Sequence, residues 1–214
     1  MAEKQLKKIV VLVSGGGTNL QALMDAQNRG ELGGGEITCV ISSKPDAYAL
    51  ERAKQNNIAT RVIQRKTFPD TAAYSAAMLE ALNEAQADLI VYAGFMTILD
   101  ETICRAYPNK MMNVHPALIP SFCGKGFYGL HVHEAVLDRG VKVTGATVHF
   151  VNEVCDGGPI ILQRAVDIRQ DDTPETLQRR VMEEAEWKIL PEAVRLFCAD
   201  RIQVHGGRAY ITET

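Results

Sequence analysis

The chain has 214 residues, of which 46% are hydrophobic and 23% are charged, and its formal net charge is -3. This composition is typical of a globular protein with one large or two small domains. The negative net charge does not indicate a basic surface, so a nucleic-acid partner is not predicted. No apolar run is long enough to predict a membrane span.

Short apolar runs alternate with helical patterns in the first half of the chain. The run from Ile9 to Val13 is apolar throughout, as expected of a strand that is buried on both faces. Further strands are predicted at 37–42, 61–63 and 89–93, and helices at 19–28, 47–56 and 70–85. This order predicts a parallel sheet with helices on both faces.

The second half of the chain is richer in β structure. Strands are predicted at 111–115, 143–151 and 160–166, with a loop-rich segment at 116–129 and a helix at 131–138. Thr173 and Pro174 provide an N-cap and a first-turn proline for one long helix that ends near Cys198. Gly206-Gly207 lies between short β runs at 201–204 and 208–211 and predicts a closing hairpin.

These elements predict an α/β fold. We expect a Rossmann-like, mostly parallel twisted sheet with helices on both faces and an antiparallel β extension in the C-terminal half. No internal repeat or linker is visible in the sequence. We therefore expect a single domain over residues 1–214, with two halves that meet near residue 110.

The five cysteines are scattered and never spaced as Cys-x-x-Cys. Their odd number and irregular spacing argue against a disulfide framework and a zinc site. We therefore expect reduced thiols, a cytoplasmic location and no metal ion.

A glycine loop, Ser14-Gly-Gly-Gly-Thr-Asn19, lies between the first predicted strand and helix. Glycines allow a ligand close to the backbone, and a helix N-terminus attracts anions, so the loop could hold a phosphate. A dinucleotide site is disfavoured, because Leu20 stands at the third glycine position and no acidic residue ends the second strand. A tight turn without a ligand is the alternative.

Asn113, His115 and Asp156 are the candidate catalytic residues. Asn113 and His115 alternate on one predicted strand and share a face, at the strand end where open α/β sheets bind ligands. An amide can donate to an oxyanion without titrating, and an imidazole can shuttle a proton. We expect Asp156 to raise the pKa of His115. His149 is equally consistent with a site residue and with a hydrogen-bonded core histidine.

Five segments carry a family resemblance: Val11–Ala22, Ala93–Leu99, Met112–Pro120, Gly145–Val151 and Asp156–Gln163. Together they resemble the phosphoribosylglycinamide formyltransferases, folate-dependent enzymes of purine biosynthesis. The resemblance covers nearly the whole chain in the right order. It implies formyl transfer from 10-formyltetrahydrofolate, as co-substrate, to the amine of glycinamide ribonucleotide, with no metal.

The resemblance also implies roles for individual residues. The catalytic residues would be Asn113, His115 and Asp156. The nucleotide substrate would contact Gly16, Gly17, Thr18, Asn19 and Glu186. The folate would contact Met96, Thr97, Ile98, Leu99, Asn113, Asn152, Glu153, Val154, Cys155 and Asp156. The half before residue 110 would bind the nucleotide phosphate, and the half after it would bind folate and carry the catalysis.

The chain lacks two positively charged residues that members of this group carry. Many members of the group have Arg where Thr97 stands, and some have Arg where Thr71 aligns, near substrate carboxylates or phosphate. The segment from Ser121 to Tyr128 is longer than in the shorter members, and its Lys125 is a candidate for a displaced cation.

Two alternatives to the transferase remain open. A formyltetrahydrofolate hydrolase would share the catalytic trio but would carry an extra N-terminal domain, whereas the first strand here begins by Ile9. A folate- or nucleotide-binding module would bind ligand without turnover. A transformylase acting on tRNA is disfavoured, because it would need a basic surface and a further C-terminal domain.

The expected partners are small molecules, with neither nucleic acid nor membrane, and the chain is expected to be a monomer or a homodimer.

Overall fold

The computed structural model of the chain describes residues 6–97 and 99–212. Its strands are β1 (Lys7–Val13), β2 (Gly35–Ser42), β3 (Ala59–Val62), β4 (Leu89–Tyr92), β5 (Met111–His115), β6 (Val143–Phe150), β7 (Ile160–Asp167), β8 (Ile202–His205) and β9 (Arg208–Ile211). Its α-helices are α1 (Thr18–Asn28), α2 (Tyr48–Gln55), α3 (Thr71–Glu84), α4 (Glu101–Ala106), α5 (Leu130–Arg139), α6 (Pro174–Val181) and α7 (Trp187–Cys198).

Seven strands form one sheet in the order β3-β2-β1-β4-β5-β6-β7. The pairs from β3 to β5 are parallel, whereas β5–β6 and β6–β7 are antiparallel. β8 and β9 form a separate antiparallel hairpin. The predicted α/β fold, its antiparallel extension and the closing hairpin are confirmed.

Strand β1 shows why the sheet carries helices on both faces. Ile9, Val11 and Val13 belong to a core shared with α1, α2, α5, α6 and α7. Val10 and Leu12 point the other way, into a core shared with α3 and α4. Alternate residues of a strand face opposite sides of a sheet, so a continuous apolar run suits a strand covered on both sides.

The long C-terminal helix differs from its prediction. Thr173 caps α6 and Pro174 is its first residue, as expected. The helical run continues to Cys198, as predicted, but a π-helical segment, Met182–Glu186, joins α6 to α7 within it, which the sequence did not predict. A π turn inserts one extra residue into the helix and often marks a functional position, which an apolar pattern alone does not reveal.

Helix α4 was not predicted from the sequence. It has only six residues, from Glu101 to Ala106, and one fully buried side chain, Ile103. The Asp100 side chain caps it by accepting from the Thr102 N–H at 3.0 Å. A helix this short shows too few turns for an apolar period to appear.

Candidate active site

The glycine loop follows β1 at the carboxyl edge of the sheet. Gly17 precedes α1 in the left-handed region, at φ 73°, and a Cβ there would lie 2.6 Å from the Cβ of Ala49. Gly15 and Gly16 are exposed, and a Cβ at either would meet nothing within 4 Å. The loop therefore presents open backbone at the N-terminus of an 11-residue helix, which suits an anion.

Arg52 forms a hydrogen bond to this loop, a role that the sequence did not predict. Its Nε donates to the Gly16 carbonyl at 2.8 Å, and its Nη1 donates to Gln21 at 2.9 Å. The guanidinium also lies 5.0 Å from the ring centre of Tyr48. Arg52 thus places a positive charge beside the loop. Nothing in the pattern of α2 distinguishes it from the other charged residues of that helix.

The π-helical segment contacts the start of α1. Glu186 is 6% exposed, and its carboxylate accepts from the Asn19 side chain at 2.7 Å. Met182 lies at the other end of the segment, with its sulfur 4.0 Å from the Thr18 hydroxyl. The structure therefore brings Gly16, Gly17, Thr18 and Asn19 together with Glu186, which lies far away in the sequence.

Burial changes the ionisation of Glu186. It raises the pKa of this carboxyl to about 7, and the hydrogen bond from Asn19 offsets only part of the shift. A buried carboxylate loses its hydration, and the structure describes no cation close to it in compensation. Glu186 therefore titrates near neutral pH.

Asn113 and His149 face each other across the β5–β6 pair. The Nδ2 of Asn113 and the Nε2 of His149 are 3.3 Å apart. His149 Nδ1 is 2.8 Å from the Phe150 carbonyl, and a carbonyl only accepts, so Nδ1 carries a proton. Nε2 accepts from Asn113 when it carries no proton, and a proton on Nε2 faces Asp156 Oδ1 instead. His149, which is 2% exposed, therefore orients the amide of Asn113 and belongs to the site.

Asp156 lies between the two histidines. Its Oδ2 is 3.6 Å from His115 Nδ1, and its Oδ1 is 3.6 Å from His149 Nε2. Asp156 reaches them from the loop after β6. Gly158 of this loop packs directly on the strand, since a Cβ there would lie 1.8 Å from the Phe150 carbonyl oxygen. Asn113, His115 and Asp156 are thus one cluster, with His149 as its fourth member.

The segment from Ser121 to Tyr128 touches two members of this cluster. The Nε2 of His115 donates to the Phe122 carbonyl at 2.8 Å. The Gly124 N–H donates to Asp156 Oδ2, also at 2.8 Å. Backbone groups of this segment therefore hold both the imidazole and the carboxylate. Lys125 follows directly and is exposed.

The charge states in the cluster differ from expectation. Burial lowers the pKa of His115 below its ordinary value, although Asp156 and the Phe122 carbonyl act to raise it. Asp156 thus acts to raise the pKa of His115, as predicted, but loss of hydration outweighs the carboxylate and the net shift is downward, so the imidazolium is not favoured. Burial also acts to raise the pKa of Asp156, but His149, the Gly124 N–H and His115 together lower it to about 2. At neutral pH a carboxylate thus lies beside a neutral imidazole.

Apart from Asn113 on β5, the residues assigned to folate lie on two segments. Met96 is half exposed and its N–H donates to Ser14 Oγ at 3.0 Å, which ties this segment to the glycine loop. Thr97 and Leu99 are partly buried, while Ile98 lies outside the described residues. The second segment holds Asn152, Glu153, Val154, Cys155 and Asp156. Here the Asn152 side chain accepts from the Val154 N–H at 3.0 Å, and the Val154 side chain is exposed.

The described part of the chain contains no group of three or more His, Cys, Asp or Glu side chains that could hold a metal ion. Within the same residues, no helix is both long enough and apolar enough to cross a membrane.

Comparison with known proteins places the chain in a family. The formyl transferase family model matches residues 7–194. The chain is 39% identical over 206 residues to the phosphoribosylglycinamide formyltransferase of Haemophilus influenzae, covering 96% of this chain and 94% of the relative. It is 43% identical over 208 residues to the bovine (Bos taurus) trifunctional purine biosynthetic protein adenosine-3, covering 96% of this chain but 20% of that protein.

A solved structure agrees with these relatives. The glycinamide ribonucleotide transformylase 1 of Symbiobacterium toebii superposes with a TM-score of 0.92 at 40% identity, covering 99% of this chain and 96% of that one. The family match spans both the glycine loop and the Asn113, His115 and Asp156 cluster. The chain therefore belongs to the formyl transferase family, within its group of phosphoribosylglycinamide formyltransferases.

Proposed function

We propose that Asn113, His115 and Asp156 carry out the formyl transfer of this enzyme, from 10-formyltetrahydrofolate to the amine of glycinamide ribonucleotide. The products are formylglycinamide ribonucleotide and tetrahydrofolate. The observation that carries the proposal is the contact of Asp156 with His115 and His149 at 3.6 Å each, beside an amide that His149 orients. We also propose that residues 1–214 act as a single domain in the cytoplasm.

The nucleotide substrate binds at the glycine loop in this proposal. Gly16, Gly17, Thr18 and Asn19 offer N–H groups at the start of α1, which suit the phosphate. Arg52 adds a positive charge next to the loop, held by the Gly16 carbonyl. Glu186 lies 2.7 Å from Asn19 and accepts hydrogen bonds from the ribose hydroxyls.

The folate binds between the Met96 and Asn152 segments. Met96 and Val154 expose apolar side chains there, 50% and 63% accessible, which suit the flat rings of the pterin. The folate supplies the formyl group and a nitrogen leaving group. The contact between the Met96 N–H and Ser14 joins this segment to the phosphate loop, so the two substrates approach each other near Asn113.

Asn113 stabilises the negative charge that develops on the formyl oxygen. One of its Nδ2 protons is directed at His149, which leaves the other free to donate to that oxygen without a change of charge. The lowered pKa of His115 makes its protonated form a stronger acid. The attacking amine loses a proton, and the departing folate nitrogen gains one. The His115–Asp156 pair is placed to carry a proton from the amine to that nitrogen.

An absorbance assay with purified protein tests this proposal. 10-Formyltetrahydrofolate is supplied with and without glycinamide ribonucleotide. We expect rapid consumption of the formyl folate only when the amine substrate is present. Equal consumption without the amine would identify a hydrolase, and folate binding without any consumption would identify a binding module.

A further inference from the structure

Ser14 directly follows β1, and its side chain joins the segments that follow three strands at one edge of the sheet. Only 5% of Ser14 is exposed. Its Oγ accepts from the Met96 N–H at 3.0 Å and lies 2.7 Å from Ser43 Oγ, just after β2. We propose that Ser14 is a positioning residue for the folate, because it holds the Met96 segment against the sheet. This inference rests on the use of formyl folate proposed above.

The direction of each hydrogen bond at Ser14 follows from its burial. The Met96 N–H can only donate, so Ser14 Oγ is the acceptor. If Ser14 also accepted from Ser43, its own proton would be buried without a partner among the described residues, which destabilises a fold. Ser14 therefore donates to Ser43 Oγ. Ser43 is itself fixed, because its N–H donates to the Val13 carbonyl at 3.1 Å. The Ser14 hydroxyl is thus held with a lone pair directed at the Met96 N–H.

The Met96 segment is attached to the rest of the fold at three points along its length. At its start, the Ala93 N–H donates to a carbonyl of β1 at 2.9 Å. After its end, the Asp100 N–H donates to Ser75 Oγ at 3.0 Å. The bond from the Met96 N–H to Ser14 lies between these two, where the Met96 side chain is half exposed. Ser14 therefore anchors the middle of the segment assigned to folate.

The glycine loop next to Ser14 has anchors of its own. The Ala49 N–H donates to the Gly15 carbonyl at 3.1 Å, and Arg52 Nε donates to the Gly16 carbonyl at 2.8 Å. Neither contact involves the Ser14 side chain. Loss of the Ser14 hydroxyl should therefore weaken the folate site and spare the nucleotide site. A general loss of structure would affect both sites.

Titration calorimetry on the full chain tests this selectivity without requiring turnover. The probes are tetrahydrofolate and glycinamide ribonucleotide. Ser14→Ala removes the acceptor of the Met96 N–H, whereas Ser43→Ala leaves that acceptor in place. The matched control is Ser42→Ala. Ser42 is a buried serine at the same edge of the sheet, and its hydroxyl donates to the Lys44 carbonyl within its own turn at 2.7 Å.

We expect Ser14→Ala to raise the Kd of tetrahydrofolate about fivefold, as loss of one hydrogen bond does. The Kd of glycinamide ribonucleotide should stay within twofold of the original value. Ser43→Ala should raise the Kd of tetrahydrofolate no more than about twofold, and Ser42→Ala should change neither Kd. Thermal unfolding checks the fold of each variant. Ser14→Cys, which keeps the site filled but offers only a weak acceptor, gives the same comparison if the alanine variant is unstable.

Three results would overturn the role of Ser14 alone. They are an unchanged Kd for tetrahydrofolate in Ser14→Ala, equal increases for both probes in that variant, and an effect of Ser43→Ala as large as that of Ser14→Ala. The last would assign the effect to the pair of serines and not to the Met96 contact. If the unaltered protein did not bind tetrahydrofolate, the proposed function would fail as well.

Discussion

At the scale of single residues, the site depends on how each polar side chain is oriented. His149 fixes the amide of Asn113, and backbone groups of Phe122 and Gly124 hold His115 and Asp156. Each of these contacts is at least partly buried, and a buried polar group without a partner destabilises the fold. The proposed catalytic groups are therefore positioned before substrates arrive, and such preorganisation is usually the largest part of electrostatic catalysis.

Removing any of the three catalytic groups should lower turnover sharply. We expect Asn113→Ala, His115→Ala and Asp156→Asn each to reduce kcat by roughly 100-fold or more, as loss of a preorganised donor typically does. Steady-state kinetics measure the effect, and thermal unfolding checks that each variant is folded. Turnover near that of the unaltered enzyme in His115→Ala would contradict its role.

Gly16→Ala provides a probe of the phosphate site that should not disturb the fold. A Cβ at Gly16 meets nothing within 4 Å, so the unfolding temperature should stay unchanged. The added methyl group would occupy space that the phosphate needs for close approach to the backbone. We expect KM for glycinamide ribonucleotide to rise about tenfold, with KM for the folate unaffected. An unchanged KM for the nucleotide would remove Gly16 from the substrate contacts.

At the scale of elements, the π-helical segment Met182–Glu186 shapes the proposed nucleotide site. Its two ends contact consecutive residues of α1, Thr18 and Asn19. The segment also buries Glu186, whose pKa is raised to about 7. A buried carboxyl lowers the stability of the fold once it ionises, so the burial of Glu186 carries an energetic cost above its pKa.

Glu186→Gln should reveal this cost as a pH-dependent gain in stability. Below pH 4.5 the carboxyl is protonated in both folded and unfolded chains, so the substitution should have little effect. Between pH 4.5 and 7 the unfolded chain ionises first, and the stability of the unaltered protein falls. Above pH 7 the variant should be more stable by up to about 3 kcal/mol, the equivalent of the shift in pKa. Glutamine can also donate to the Asn19 Oδ1, which has no partner among the described residues.

Urea unfolding of both proteins at pH 4 and pH 8 measures this difference. The same variant should raise KM for glycinamide ribonucleotide, because it loses a charged acceptor. A stability gain that is equal at both pH values would show that Glu186 ionises at its ordinary pKa.

At the scale of the whole molecule, the site is assembled where the parallel and antiparallel parts of the sheet meet. β5 is paired in parallel with β4 and antiparallel with β6. The carboxyl ends of the parallel strands supply the glycine loop, the Met96 segment and His115. The return from β6 to β7 supplies Asp156. Both halves of the chain therefore contribute residues to the candidate site.

Gly158→Ala tests whether the return loop depends on its close packing on β6. A Cβ at Gly158 would overlap the Phe150 carbonyl oxygen, which cannot move without disturbing β6. We expect a loss of about 1–3 kcal/mol in stability together with a large fall in kcat, since Asp156 lies two residues away. Thermal unfolding and kinetics measure both effects. Gly15→Ala, where a Cβ meets open space, is the control for stability, and unchanged values in Gly158→Ala would show that the loop can adjust.

The fold class can be predicted from the sequence, and so can most residues proposed for the site. Apolar runs such as Ile9–Val13 and the alternation of Asn113 and His115 are local patterns, so they can be recognised without the rest of the structure. The contact of Asp156 with His115, the place of His149 beside them and the net downward shift in the pKa of His115 are visible only in the folded chain. Tertiary structure also placed Arg52 at the glycine loop and inserted the π-helical segment before Trp187. These features arise from long-range contacts and from loss of hydration, and neither leaves a period or a spacing in the sequence.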